Sequence, residues 1–349
     1  MINTLKSPKG EDIILFIKFV PAFLFFIMPR LNLVILFLWL LLTISVNGQE
    51  IDPGAGYQAV MMNNPSMSGI GGDGTLRLSY LNFFPGNGYN LHSLYLSYDS
   101  FIQALHGGAA FYLVEDYLGG AVNNIRGGLS YSYFLQAGED LFINAGLTFS
   151  VYHQGYNFSN SVLPDQIDPL GGIGYPSAEA LKSSGRTVFD IGTGFTFVKG
   201  WLSGGISVMH LAEPDLTLQG MAKETIKRKF FAHVNGDLSL GKSNKFFARP
   251  LMYGSYQEKF IVASGGLSIE TEHIAVNAIG TGDSSGNLNM QTGFSFKAGI
   301  IMFSYAYRFN IISGNSLIPM SLLHQTGLAI SLYNVDKRNS IKTINFPKL

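Results

Sequence analysis

The sequence predicts an all-β protein, a transmembrane antiparallel β-barrel of about 14 strands preceded by a signal peptide. Three observations support this prediction. Segments in which apolar and polar residues alternate recur through most of the chain, and a period of two is typical of a strand with two unlike faces. Charged residues make up only 13% of the chain, about half the roughly 25% of soluble domains. An apolar run near the N-terminus indicates export.

The composition narrows the functional classes further. The 349 residues include 41 Gly, 27 Phe and 17 Tyr, with a formal net charge of zero. A neutral chain gives no electrostatic argument for binding nucleic acid. Cysteine is absent from the sequence, which excludes disulfides, thiolate metal sites, a Cys nucleophile and a lipoprotein anchor.

A secretory signal is predicted within residues 28–50. Arg30 gives a short positive region, an apolar run follows over residues 33–44, and small residues lead to a predicted cleavage between Gly48 and Gln49. Residues 1–48 are therefore assigned to the signal peptide, with residues 1–27 interpreted as an upstream extension and Met28 as the true start.

The alternative reading of the same region is a retained membrane anchor. Residues 13–27 are also apolar, so a hairpin of two spans is conceivable. Lys18, Pro21, Pro29 and Arg30 interrupt it, however, and the run over residues 33–44 is shorter than the roughly 20 residues of a helical span.

The stretch IRGGLSYSYFL at 125–135 shows the repeated pattern most clearly, because every second residue is apolar or glycine and Ser130 and Ser132 lie between them. Strands near ten residues suit a tilted bilayer crossing. A soluble sandwich is the alternative, but its polar faces would carry more charge than these Gly-, Ser- and Asn-rich faces. The predicted strands are 75–84, 89–99, 105–115, 125–135, 141–151, 188–198, 201–210, 231–240, 247–256, 259–269, 273–280, 288–298, 300–309 and 322–333.

The apolar faces are expected to meet lipid and the small polar faces to line the barrel interior. Short connections at 136–140, 199–200 and 241–244 are placed on the periplasmic side, and the long ones at 157–186 and 211–228 at the extracellular mouth. After residue 50 the best helix candidate is the short stretch Ala178 to Lys182.

Three glycine motifs resemble sites of chemistry. GDLSLGKS (236–243) matches a phosphate loop and GIGGDG (69–74) a dinucleotide motif, but both require a following helix, and here strands are predicted. GDSSG (282–286) resembles a serine nucleophile loop, yet it lies between two predicted strands, where Gly, Asp and Ser favour a hairpin turn. All three are interpreted as turns or connections.

The titratable residues show no catalytic or metal-binding spacing. None of the seven histidines lies in a metal motif, and no spacing demands a Ser, His and acid triad. Asp165, Asp168 and Glu179 could bind Ca²⁺, but ordinary solvated acids explain them. A basic cluster could contact lipid phosphates or a partner, and a solvated loop is its simpler interpretation; its members are Lys223, Lys227, Arg228 and Lys229. The protein is predicted not to be an enzyme and to need no cofactor or metal.

The stretch GYQAVMMNNPSMSG at 56–69 is not explained by barrel architecture. It resembles the lead-in motif of the PorP/SprF family, outer-membrane proteins of the type IX secretion system and gliding motility. Ser66 stands where the family usually has Ala, and Met67 where Tyr is common. The matching positions are Tyr57, Gln58, Met61, Asn64, Pro65, Ser66 and Gly69.

The resemblance continues to about residue 335. The stretches at 201–215, 229–240, 247–255 and 303–311 are similar to successive strands of the family. The C-terminus departs from the pattern, since either Tyr333 or Phe346 could end the closing strand. The expected organisation is a lead-in segment and candidate plug at 49–74, a barrel at 75–335, and a tail or closing strand at 336–349.

The resemblance implies a role in secretion or surface display of large adhesins from the outer membrane of a Gram-negative bacterium. It implies partners in the periplasmic ring, in peptidoglycan-linked subunits and in the C-terminal domain of the cargo, besides membrane lipid, and no nucleic acid. The alternative is an outer-membrane transporter or channel for small or hydrophobic solutes, with the N-terminal segment as its plug.

Overall fold

The structure is a computed structural model that describes residues 60–85, 91–138, 140–158, 166–168, 172–173, 184–217, 223–241, 245–313 and 322–332. The signal segment, Tyr57, Gln58, Asp165, Glu179, the helix candidate at 178–182 and the C-terminal tail lie outside these residues. Among the described residues, no helix is both long and apolar enough to cross a membrane.

A short helical turn, α1 (Val60–Asn63), and a 3₁₀ turn (Pro65–Met67) precede the strands. A second 3₁₀ turn spans Gln103–Leu105. The strands are β1 (Thr75–Phe83), β2 (Leu91–Ile102), β3 (Gly107–Leu118), β4 (Val122–Gln136), β5 (Leu141–Tyr156), β6 (Ile167–Asp168), β7 (Gly172–Ile173), β8 (Ser184–Lys199), β9 (Leu202–Met209), β10 (Lys229–Gly236), β11 (Leu238–Leu240), β12 (Phe246–Gln257), β13 (Phe260–Glu270), β14 (Ile274–Asp283), β15 (Leu288–Ala298), β16 (Ile301–Ile312) and β17 (Leu323–Ser331).

Fourteen of these strands form one closed antiparallel barrel. Each strand pairs with its neighbours in chain order, β17 pairs with β1, and β10 pairs with both β9 and β12. The short strand β11 continues β10 along β12, and β6 and β7 form a separate two-stranded ribbon. Closure pairs the backbone groups that a sheet edge would expose, as a bilayer interior requires.

All fourteen predicted strands are confirmed, with small shifts at their ends. The largest differences are at β5 and β8, which are 16 residues long and extend further toward the long connection between them. The closing strand ends at Ser331, ahead of both residues that the sequence offered for its end. Near the ends of β5 and β8, polar residues interrupt the alternation of apolar and polar side chains. The sequence therefore predicted these two strands to be shorter than they are.

The facing prediction is confirmed as well. In β4, Leu129 is 68% exposed and Tyr133 48% exposed, whereas Ser132 between them is fully buried. The same alternation runs through β5, β8 and β15. The outer surface is therefore an apolar belt suited to lipid. The strand ends that the predicted short turns join all lie at one end of the barrel, named here the short-turn end. The strand ends that the two long connections join lie at the other end, the long-loop end.

The three glycine motifs are turns or connections wherever they are described. Residues 236–241 comprise the end of β10, the strand β11 and Gly241, and include no helix. Gly69 to Gly74 leads directly into β1. The Asp283 carboxylate accepts hydrogen bonds from the N–H groups of Ser285 and Asn287, which forms the hairpin turn predicted for 282–286.

Candidate functional site

Residues 60–73, named here the inner segment, lie inside the barrel. Met61 is 2% exposed and Asn64 and Ser66 are fully buried. The 3₁₀ turn contacts the inward faces of β4, β5 and β8. The sequence did not predict these two helical turns, since four residues and three residues are too short to show a helical period.

Asn64 organises the turn and attaches it to the wall. Its side-chain Oδ1 accepts hydrogen bonds from the Ser66 N–H (3.1 Å) and from the Ser66 hydroxyl (2.7 Å). Its Nδ2 donates to the hydroxyl oxygen of Thr196 in β8 (3.2 Å). Asn is a favoured residue at a helix N-cap, and Pro65 follows at the first helical position, where its missing N–H costs nothing.

Ser66 carries most of the remaining contacts. Its hydroxyl lies 2.6 Å from that of Thr196, and its carbonyl oxygen accepts a hydrogen bond from Ser132 of β4 (2.7 Å). Ser207 of β9 donates to the carbonyl oxygen of Asn63. A residue without a hydroxyl at position 66, such as the family's usual Ala, would not make the contact with Thr196.

Three glycines of the wall allow this close approach. A Cβ atom added at Gly108 would overlap the Ser68 carbonyl oxygen, one at Gly146 the Ser66 nitrogen, and one at Gly194 the Asn64 side chain. At Gly108 and Gly146 two backbones touch, and at Gly194 the Asn64 amide takes the place of a side chain, so only glycine fits these positions. We name Gly108, Gly146 and Gly194 the glycine seat. Sequence reasoning did not single them out, although Gly146 and Gly194 fall on the predicted inward faces of their strands.

Gly69, near the end of the inner segment, has a left-handed backbone, at φ 71°. A Cβ atom at this position would also overlap Gly108 and the Ser100 carbonyl oxygen. The Gly69 N–H donates to Asp99 Oδ2 of β2 (2.9 Å), and the other Asp99 oxygen pairs with Arg77 of β1. This arrangement fastens the end of the segment to the wall.

Apolar contacts flank the hydrogen bonds on both sides. Met61 and Met62 pack with Tyr95, Ala110, Tyr112 and Val114. Met67 and Ile70 pack in a second cluster, with Phe101, Phe134, Phe142 and Val198. Burial of long apolar side chains of this kind stabilises by about 1.5–3 kcal/mol each, so the inner segment is held by packing as well as by polar contacts.

Asp99→Asn is expected to lower the free energy of unfolding by about 2–3 kcal/mol, somewhat less than the 3–5 kcal/mol for a fully buried pair, because the Arg77 side chain is 23% exposed. Urea unfolding of the barrel in lipid vesicles measures the effect. Glu272→Gln, in an exposed turn, is the matched control and should leave the unfolding free energy unchanged. Equal stabilities for the two variants would show that the Asp99 contacts contribute little.

Some of the site residues predicted from the sequence lie in the inner segment, and others lie outside the described residues. The structure brings Met61, Asn64, Pro65 and Gly69 together within the inner segment. The cleavage residues Gly48 and Gln49 and the motif residues Tyr57 and Gln58 fall outside the described residues. Asp168 lies in β6.

The connection between β9 and β10 carries three residues of the predicted basic cluster, and the fourth, Lys229, is the first residue of β10. Glu213 pairs with Lys227 (3.7 Å) and Arg228 (3.6 Å) at exposed positions, consistent with a solvated loop. Hydrogen bonds from the Thr217 hydroxyl and N–H hold the pKa of the exposed Asp215 carboxyl below its usual value. Glu224 accepts a hydrogen bond from the Tyr156 hydroxyl (3.3 Å), which joins this loop to the end of β5.

Two further polar groups line the interior. His210 Nδ1 lies 2.6 Å from Asp190 Oδ2 in a buried pair, and Arg249 contacts both Asp237 (3.0 Å) and Glu270. No group of three or more potential metal ligands occurs among the residues that the structure describes.

A closed antiparallel barrel with an apolar belt defines the class of membrane β-barrel proteins, and it fits an outer-membrane location. The family model for type IX secretion system membrane protein PorP/SprF matches residues 56–318. The chain therefore belongs to the PorP/SprF family, as its lead-in motif indicated.

Several solved outer-membrane proteins are similar to this chain at low sequence identity. The P. putida toluene transporter TodX is 11% identical with a TM-score of 0.46, over 78% of this chain and 92% of that chain. A Pseudomonas aeruginosa FadL homologue is 11% identical with a TM-score of 0.43, over the same 78% and 92%. Acinetobacter baumannii Omp33 is 8% identical with a TM-score of 0.41, over 75% and 99%. A search of curated protein sequences finds no significant match.

Proposed function

We propose that this protein is the outer-membrane component of a type IX secretion system that supports secretion or surface display of large adhesins, and gliding motility where the cell glides. Membership of the PorP/SprF family carries this proposal. In this role the barrel is a non-catalytic docking platform in the outer membrane of a Gram-negative bacterium, exported by cleavage between Gly48 and Gln49.

The inner segment supports a docking role over open diffusion. It occupies the inward faces of β4, β5 and β8, and its motif residues are bonded to the wall. A platform of this kind binds the periplasmic ring, peptidoglycan-linked subunits and the C-terminal domain of the cargo, with the inner segment as the plug. A solute transporter would instead need this segment to leave its position.

A tagged pull-down from detergent-solubilised outer membranes, with mass spectrometry, tests the proposal. Recovery of ring proteins or of a large adhesin is the expected result, with a mature N-terminus at Gln49 in the same sample. A tagged barrel of another family, expressed at the same level, is the control. Recovery of the barrel alone, together with solute flux in liposomes, would favour the transporter.

A further inference from the structure

Three polar residues stand apart from the inner segment on neighbouring strands of the interior wall. They are Asn277 of β14, Gln291 of β15 and Arg308 of β16, and their exposed fractions are 2%, 2% and 5%. Gln291 lies directly opposite Arg308 in the register. Asn277 lies opposite Gly293, the next inward position of β15 after Gln291. The three side chains therefore face one part of the interior.

Arg308 differs from the paired arginines of the interior. Arg77 contacts Asp99, and Arg249 contacts Asp237 and Glu270. Arg308 donates from Nε to the neutral Gln291 side chain (3.1 Å), and within the described residues it forms no ion pair. Its Nη2 atom is buried and has no hydrogen-bond partner among the residues that the structure describes. A guanidinium stays charged at any physiological pH, and a buried charge without a counter-charge is costly.

The neighbouring amides also have unused capacity. Gln291 accepts from Arg308 through Oε1, so its Nε2 is oriented as a donor, and this atom is buried and has no partner among the described residues. The Nδ2 and Oδ1 atoms of Asn277 are buried, and neither forms a hydrogen bond with any part of the chain that the structure describes. An unbonded buried polar group costs about 1–3 kcal/mol, so these groups favour the binding of a polar ligand.

The inward positions next to Gln291 and Arg308 carry small side chains. Gly293 and Ala306 are opposite each other in β15 and β16, one inward position below Gln291 and Arg308 toward the short-turn end. At the long-loop end, Asn310 donates to Asn289 (3.0 Å), and Ser313 donates to Asn310 (2.7 Å). These partly exposed amides place neutral polar groups on the wall between the long-loop end and Arg308.

We propose that Arg308, Gln291 and Asn277 form a carboxylate-binding site inside the barrel. Arg308 Nη2 and Gln291 Nε2 supply donors for the two carboxylate oxygens, and Arg308 supplies the single positive charge that a monoanion balances. Arginine suits planar carboxylates through its fixed fork of donors. The Asn277 amide can both donate and accept, which matches a peptide group beside a C-terminal carboxylate.

A phosphate fits this donor set less well. At neutral pH a phosphate carries up to about two negative charges, and one guanidinium would leave the excess buried. Glu270 lies on the adjacent strand β13, but its carboxylate is engaged by Arg249 and Ser268. The ligand is thus a small free carboxylate or the C-terminus of a peptide. The proposed binding site does not rest on the proposed secretion role. Carboxylate binding can be detected even if the pull-down recovers no secretion component.

Calorimetric titration of the full purified protein in zwitterionic detergent tests the site with three probes: acetate, N-acetyl-alanyl-alanine with a free carboxylate, and its amide. We expect acetate and the free acid to bind and the amide to bind at least about tenfold more weakly, since a hydrogen bond to a charged group is worth about 1.5–3 kcal/mol. Tighter binding of the free-acid peptide than of acetate would identify a peptide C-terminus as the ligand. Equal binding would identify a small carboxylate.

Arg308→Gln should weaken carboxylate binding by about tenfold or more, because it removes the charge and keeps a donor. Thr292→Val is the matched control, since Thr292 is the neighbour of Gln291 and faces lipid. It should bind as the unmodified protein does. No acetate or peptide binding to the unmodified protein, equal binding of acid and amide, or unchanged binding by Arg308→Gln would each overturn the proposal. The comparison of acid with amide needs no variant.

Discussion

Gly146→Val is expected to displace the inner segment and to raise the ion conductance of the barrel. The added side chain would occupy the position of the Ser66 nitrogen, and no rotamer can avoid a clash made by Cβ itself. A displaced inner segment would lose the hydrogen bonds that join Asn64 and Ser66 to Thr196 and Ser132. At about 1 kcal/mol for each of the three bonds, roughly 3 kcal/mol that favours the inner segment in its position against the wall would be lost.

Conductance in planar lipid bilayers measures the result. Ala145→Val is the matched control, because Ala145 is the preceding residue and its side chain faces lipid. We expect the control to conduct as little as the unmodified barrel and the Gly146 variant to conduct in frequent, larger steps. If both variants stay closed, then the inner segment is not what limits ion flow.

Leu147→Arg is expected to reduce assembly of the barrel strongly. Leu147 is 50% exposed on the outer face of β5, midway between the strand ends at Leu141 and Tyr156. A cation facing lipid near the bilayer midplane costs about 2–4 kcal/mol. The amount of heat-modifiable, membrane-inserted protein, measured by gel migration with and without boiling, should fall accordingly.

Two controls separate position from substitution. Leu147→Met keeps an apolar side chain at the same place and should assemble normally. Ser184→Arg adds the same cation at the exposed end of β8, where headgroups and water can solvate it, and should also assemble. Normal assembly of the Leu147 arginine variant would contradict the assignment of this face to lipid.

The sequence predicted the strands and their faces because alternation is a local property. In β4, β5 and β8 each residue's side is set by the period of two, so burial followed directly from the pattern. Strand ends were less accurate, since polar residues such as Asn123 and Asn124 at the start of β4 no longer alternate with apolar ones. The pairing of β1 with β17 joins the first and last strands of the barrel, and no local pattern displays it.

The inner segment was predictable only in part. The motif residues Asn64, Pro65 and Gly69 stood out by resemblance, but their physical roles depend on residues far along the chain. Thr196 lies 132 positions after Asn64, and Gly146 is one glycine among 41. Which glycine accepts a second backbone is decided by the register of the barrel, which the sequence does not display. Arg308 likewise looked like an ordinary interior residue until its partners were known.

The most direct test of the account is a disulfide between the inner segment and the wall. The chain has no cysteine, and the hydroxyls of Ser66 and Thr196 lie 2.6 Å apart, so the pair Ser66→Cys and Thr196→Cys should oxidise during export. In protein unfolded with detergent, where buried thiols become accessible, maleimide should then label the two thiols only after reduction. The control pairs Ser66→Cys with Ser304→Cys of β16, which should stay reduced and be labelled without reductant. Free thiols in the first pair, or equal labelling of both pairs, would contradict the position of the inner segment against β8.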